Sequence, residues 1–172
     1  AELTYLLSHT TRYEQALEVL AGTGDDRQIA HTLSDFARVA TRRGEWKAAR
    51  MRFATALQLA RGLGAQREAA YSLEGVAELS AGQGDSAAAT RILGAAQGLR
   101  EAIGSPPTAV ELVEQAILLN RLRDTLGREA YERLLAAGRL LAFDSALDQA
   151  MVWLDADPAG QGVGAGRPGV EN

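Results

Sequence analysis

Few side chains in this sequence have the chemistry of acids, bases, nucleophiles or metal ligands, and they are scattered. His9 and His31 stand on different predicted helices, and no carboxylate recurs at ligand spacing around either one, so no metal-binding set forms. Glu14/Glu18 and Glu74/Glu78 each place two carboxyls four residues apart on one helix face, a spacing that suits general acid–base work. No apolar pocket or partner acid in the pattern would separate their pKa values, so they read as a solvated face. The stretch GQGVGAG near the C terminus has the glycines of a phosphate-cradling loop without the strand before it or the helix after it. Cysteine is absent, which removes disulfide scaffolds, thiolate zinc sites and Cys nucleophiles together. The serines and aspartates fall at caps and turns and form no arrangement with histidine. No catalytic residue, cofactor or metal is expected from this set.

The strongest charge feature is basic. Arg38, Arg42, Arg43, Lys47, Arg50, Arg52 and Arg61 face the single acid Glu45, with Trp46 and Phe53 among them. Basic residues interleaved with aromatics are the pattern of nucleic-acid contact. Against it, Phe53 falls on a core position of the repeat described below, and the arginines spread over two helices. Pairing with acids of the next repeat, or docking on an acidic domain, accounts for the same charges. The whole chain carries a net charge of -4, which gives no general attraction to phosphate or anionic lipid. No apolar run is long enough to span a bilayer, and AELTYLLSHT lacks the basic and apolar regions of a secretory signal, so a cytoplasmic setting is expected. The chain opens on Ala1 in helix-forming sequence and reads as a piece of something longer.

The elements that position these residues are repeats. With 172 residues and 47% apolar content, the chain is long enough for a real core. Sliding it against itself by 40 positions pairs Ala30 with Ala70, Leu33 with Leu73, Ala37 with Ala77, Gly44 with Gly84, Ala49 with Ala89, Ala56 with Ala96 and Gly64 with Gly104. Apolar residues at helical intervals flank each central glycine, so each unit predicts two antiparallel helices joined by a tight turn. Gly44 and Gly84 stand where the first helix must stop, since a left-handed residue closes its last turn. Asp85 is placed to cap the next helix; Glu45 can offer only a favourable dipole interaction. Alanines 37, 49 and 56 predict a seam of close helix approach, with Leu33, Phe36 and Phe53 beside it.

The set Ala37, Gly44, Ala49, Phe53, Ala56 and its copy Ala77, Gly84, Ala89, Leu93, Ala96 resembles the tetratricopeptide repeat. The unit is longer than the family's 34 residues, and the closing proline is missing. The resemblance implies an all-α fold of antiparallel helix hairpins, a solenoid with a period of about 40 residues. Repeats are expected over about 27–64 and 67–104. Residues 2–22 read as the second helix of a preceding unit. After Pro106-Pro107, Thr108 opens a helix to about Leu126; helices over 128–138 and 144–154 follow, so 107–154 reads as a set of capping helices. The count is about eight helices. The domain is expected over 1–154 and a flexible Gly/Pro-rich tail over 155–172.

The family geometry further implies that the first helix of each hairpin lines a concave groove. His31, Ser34, Arg38 and Arg42 would line one part, and Tyr71, Glu74, Glu78 and Gly82 the next. That wall is basic on one side and acidic on the other, which suits an extended or helical peptide of mixed charge, or another domain of the same polypeptide. The Lys/Asn pattern of the carboxylate-clamp subfamily is absent. The succession RILGAAQGLREAIGSP, LGREAYERLLAAGRLL and ALDQAM is similar to the region that closes the helical repeats of large bacterial signal-transduction ATPases. These include LuxR-type and AfsR-type transcriptional regulators. This resemblance implies a non-enzymatic interaction or sensor scaffold; a freestanding peptide-binding adaptor and a nucleic-acid-binding helical repeat are the alternatives. Leu3, Leu6 and Leu7 predict an uncovered face at the N-terminal end, open to a second copy or to the rest of a parent protein.

Overall fold

The computed structural model of the chain describes residues 24–156 without a break, together with Gln15, Glu18 and Gly22. Seven helices are present among the described residues: α1 (Asp26–Arg42), α2 (Trp46–Gly62), α3 (Gln66–Gly82), α4 (Ser86–Ala102), α5 (Ala109–Leu126), α6 (Arg128–Arg139) and α7 (Phe143–Asp155). The described residues contain no strand. The count is seven where about eight were expected; the remaining one, on residues 2–22, falls almost wholly outside the described residues, as do Leu3, Leu6, Leu7 and the tail from 157.

The first four helices are each 17 residues long. The three-residue links between them share one construction. In each, the middle residue is a glycine at positive φ, 72° at Gly44, 59° at Gly64 and 86° at Gly84. Such a turn lets the next N–H reach back into the finished helix, and Glu45, Ala65 and Asp85 donate to the carbonyls of Ala40, Ala60 and Ser80 at 2.8–2.9 Å. A side chain at the glycine would make that conformation costly. Asp85 caps α4 by accepting from the Ala88 N–H at 3.0 Å, whereas Glu45 makes no side-chain cap.

α1 packs on α2, α3 on α4, α2 on α3 and α1 on α3. The alanine seam lies at these contacts: Ala37, Ala49, Ala56, Ala77, Ala89 and Ala96 are fully buried. Phe53 is enclosed beside them, and its ring occupies the place a side chain at Gly75 would need, with a Cβ there 2.5 Å from the ring. Leu73 is fully buried, while Leu33, one period earlier, is only half-buried.

Beyond α4 the packing changes character. α6 runs against α4 at backbone distance, through glycine on both helices: a Cβ built on Gly94 would lie 2.3 Å from the Leu135 carbonyl oxygen, and one on Gly138 would lie 2.0 Å from that of Arg91. α5 touches α4 and α6, and α7 lies across α2, α3 and α4. α7 is held by polar contacts at both ends. Arg61 reaches Asp148 at 2.6 Å, Trp153 Nε1 donates to Asp85 at 3.0 Å, and Arg50 Nη1 donates to the carbonyls of Trp153, Leu154 and Ala156 at 2.7–3.0 Å.

Candidate functional site

The wall formed by α1 and α3 carries the residues expected to line a groove, and it sorts them into an outer and an inner set. His31 is 44% exposed and Arg42 65%. Tyr71 and Glu78 are partly buried at the surface. The His31 and Tyr71 rings stack across the two helices with centroids 4.4 Å apart and planes inclined by 23°. The Tyr71 hydroxyl donates to Asp35 at 2.5 Å. Burial first, and then this bond to a carboxylate, push the tyrosine hydroxyl far above its ordinary value of 10.0, so it stays a neutral donor throughout the physiological range.

Ser34 and Glu74 lie inside. Ser34 is fully buried, its hydroxyl 2.7 Å from that of Ser72 and 3.0 Å from the Ala30 carbonyl; its small size lets α1 and α3 come together. Glu74 is 3% exposed and is held by Arg100 of α4, with Nε at 2.5 Å and Nη2 at 2.9 Å from its two oxygens. Burial pushes the Glu74 carboxyl up; Arg100 and then Arg38 draw it back. Arg38 is itself mostly buried. It donates to Glu78 and to the Tyr71 carbonyl at 3.2 Å, with its guanidinium 4.7 Å from the centre of the Tyr71 ring. Burial works against its charge, but Glu78, Tyr71 and Glu74 outweigh it and its pKa rises above the ordinary arginine value. The basic and acidic sides of the wall are therefore partly joined to each other. Gly82, the last groove position, ends α3 beside the Trp46 ring.

The other arginines of the basic run are likewise engaged, while Lys47 is exposed. Arg42 meets Glu114 of α5 at 3.4 Å and Arg43 meets Glu45 at 3.6 Å; Arg50 and Arg61 serve α7 as above, and Arg52 lies over the Phe36 ring at 3.6 Å. These pairings spend the charge on neighbouring helices and leave little of it for a row of phosphates.

A cavity of about 450 Å³ opens beside the stacked rings, lined by Arg27, Gln28, His31, Arg67, Glu68, Tyr71 and the start of α5. A smaller one of about 210 Å³ continues along α1, past Asp35, Arg38, Val39 and Arg42. Both are polar. One oxygen of Glu68 is buried with no hydrogen-bond partner. Among the described residues no group of three His, Asp or Glu is placed to hold a metal ion. No described helix is long and apolar enough to cross a membrane.

Arg100 was not singled out in the sequence, and it is the residue that ties this wall together. The signal for it is weak: one of two cations in an alanine- and glycine-rich helix. A stronger signal marks Gly94 and Gly98, four residues apart on α4 and so on one face, where the backbone of a second helix can approach. Compared with protein-family models, curated proteins and solved structures, the chain matches none.

Proposed function

We propose that the chain is a non-enzymatic protein-interaction scaffold, a tetratricopeptide-like solenoid of hairpins with a period of about 40 residues. In this reading its α1–α3 wall takes a polypeptide segment. The observation that carries the proposal is the stacked His31–Tyr71 pair beside a polar cavity of about 450 Å³. An aromatic step flanked by Arg27, Arg67 and Glu68 offers both hydrogen-bonding signs and an apolar ring face within one segment's reach. That combination suits a peptide of mixed charge better than a phosphate backbone. On the sequence similarity described above, the scaffold serves as the helical-repeat region of a bacterial transcriptional or signal-transduction regulator, in the cytoplasm. The ligand is then a separate protein or another domain of the same polypeptide; a freestanding adaptor would use the same wall.

The test is panning of a phage-displayed random peptide library on the full chain, followed by titration of the enriched peptides. His31→Ala and Arg42→Glu should each weaken binding at least tenfold, while Met51→Ala, on the exposed face of α2, should leave it unchanged. Peptides that bind equally to all three variants would refute the assignment of this wall. A shift of labelled DNA or RNA that Arg42→Glu with Arg43→Glu abolishes would replace it with nucleic-acid binding.

A further inference from the structure

The α1–α3 wall is already partly occupied. α5 lies at its edge and makes two charged contacts there, one with the wall and one with the helix behind it: Glu114 meets Arg42 of α1 at 3.4 Å, and Glu111 meets Arg100 of α4 at 3.2 Å. The two carboxylates are three residues apart and so share one face of α5. Between this face and the wall lie the two cavities described above, and both are bordered by Tyr71 below and Glu111 above. Both are clefts open to solvent, so α5 stands over the wall without sealing against it.

The support of α5 is one-sided. In its C-terminal half Leu122 is fully buried and Leu118 and Leu119 pack on the core. In its N-terminal half Val110, Val113 and Ile117 are 70%, 64% and 69% exposed. These three recur at helical spacing as an apolar stripe facing water. What fixes the N-terminal half is the Thr108–Glu111 capping box and the two arginine contacts. The Arg42–Glu114 pair is exposed on both sides, a kind of contact that contributes little and is readily exchanged. Arg42 makes it with no other acid among the described residues.

We infer that the N-terminal half of α5 is a self-bound stand-in for the partner. The wall takes an acidic amphipathic helix whose carboxylates, one turn apart, rest on Arg42 and Arg100. Glu114 and Glu111 hold those two positions while no partner is bound. A competing helix displaces the N-terminal half of α5 from these two positions. The inference rests on the proposed function and names the chemistry of its ligand.

The probe is a fluorescein-labelled peptide copying residues 107–122, with Leu118, Leu119 and Leu122 replaced by glutamine so that it cannot enter the core. Its binding to the full chain is followed by anisotropy at low salt. Glu114→Lys sets a like charge against Arg42 and loosens α5; it should bind the probe at least tenfold more tightly than the parent chain. Adding Arg42→Glu should remove that gain. In hydrogen exchange, the amides of residues 110–117 should exchange at least tenfold faster in Glu114→Lys, with 119–126 unchanged and circular dichroism confirming the fold. A Glu114→Lys chain that binds the probe no better than the parent, or whose gain survives Arg42→Glu, overturns the inference. If the panned peptides still depend on His31 and Arg42 in that case, the groove stands without α5 as its occupant. If they do not, both readings fall.

Discussion

Replacing Gly138 by alanine should destabilise the protein, although alanine is the better helix former. Gly138 lies in α6, one residue before its end. By intrinsic propensity alone, Gly→Ala inside a helix gains about 1 kcal/mol. Here the added Cβ would lie 2.0 Å from the Arg91 carbonyl oxygen and 2.9 Å from the Ala95 nitrogen. Both neighbours are backbone of α4, so no rotamer change can clear the space. One helix must move by about 1 Å, and overpacking of this kind typically costs about 1–3 kcal/mol and sometimes more. Separating the helices also loosens the packing around Leu93 and Leu99, which α4 buries. The net expectation is a loss of about 2 kcal/mol, or about 4–8 °C in Tm for a chain of this size. The control is Gly62→Ala at the end of α2, where a Cβ meets nothing within 4 Å; it should be neutral or stabilising by up to about 1 kcal/mol. Urea unfolding followed by circular dichroism at the helix band separates the two. Equal stability of Gly138→Ala and the parent chain would refute the close approach of α4 and α6.

Arg100→Met leaves Glu74 buried with only Arg38, at 3.9 Å, for charge compensation; it should cost about 3 kcal/mol by urea unfolding, with most of it recovered in Glu74→Met/Arg100→Met. The Glu111 carboxyl is held below its ordinary value of 4.5: burial opposes this, but the bonds from Thr108 and then the charge of Arg100 outweigh it. Its contribution is therefore full above pH 4.5 and lost as the pH falls through the depressed value. The stability gap between the parent and Glu111→Gln, about 0.5–1 kcal/mol at neutral pH for a partly covered acid in the first turn of a helix, should close in acid; a gap that widens in acid would contradict this. Arg50→Ala removes three bonds to the end of α7 and the guanidinium 4.0 Å from the Trp153 ring. It should cost about 1.5–3 kcal/mol and red-shift the Trp153 emission, and unchanged fluorescence would refute the anchoring of α7 by Arg50.

The features legible in the sequence were those set by short-range constraints. Gly44 and Gly84 announce their turns because a left-handed link excludes side chains locally. Ala49 and Ala89 announce close packing because only a small residue permits it, whatever the partner. Thr108 announces the start of α5 by following the Pro106-Pro107 break. Glu74 was different. Its place on α3 was readable, but its burial depends on Arg100, which is distant in sequence. A helix pattern cannot tell a solvated acid from one enclosed with a cation. Ser34 was likewise placed on the groove side, and its exposure turned on how near α3 approaches. Gly94 and Gly138 face each other across two helices whose pairing no repeat predicts. The position of the N-terminal half of α5 follows from two ion pairs and a proline-bearing link, and none of these carries a periodic signal.

The most direct test of the α1–α3 wall as the binding face is amide chemical-shift mapping of the isotope-labelled full chain, titrated with a panned peptide. Perturbations gathered at His31, Asp35, Arg42, Tyr71 and the first turns of α5 are the predicted result. Perturbations confined to α2 and α7, around Met51 and Val152, would contradict it.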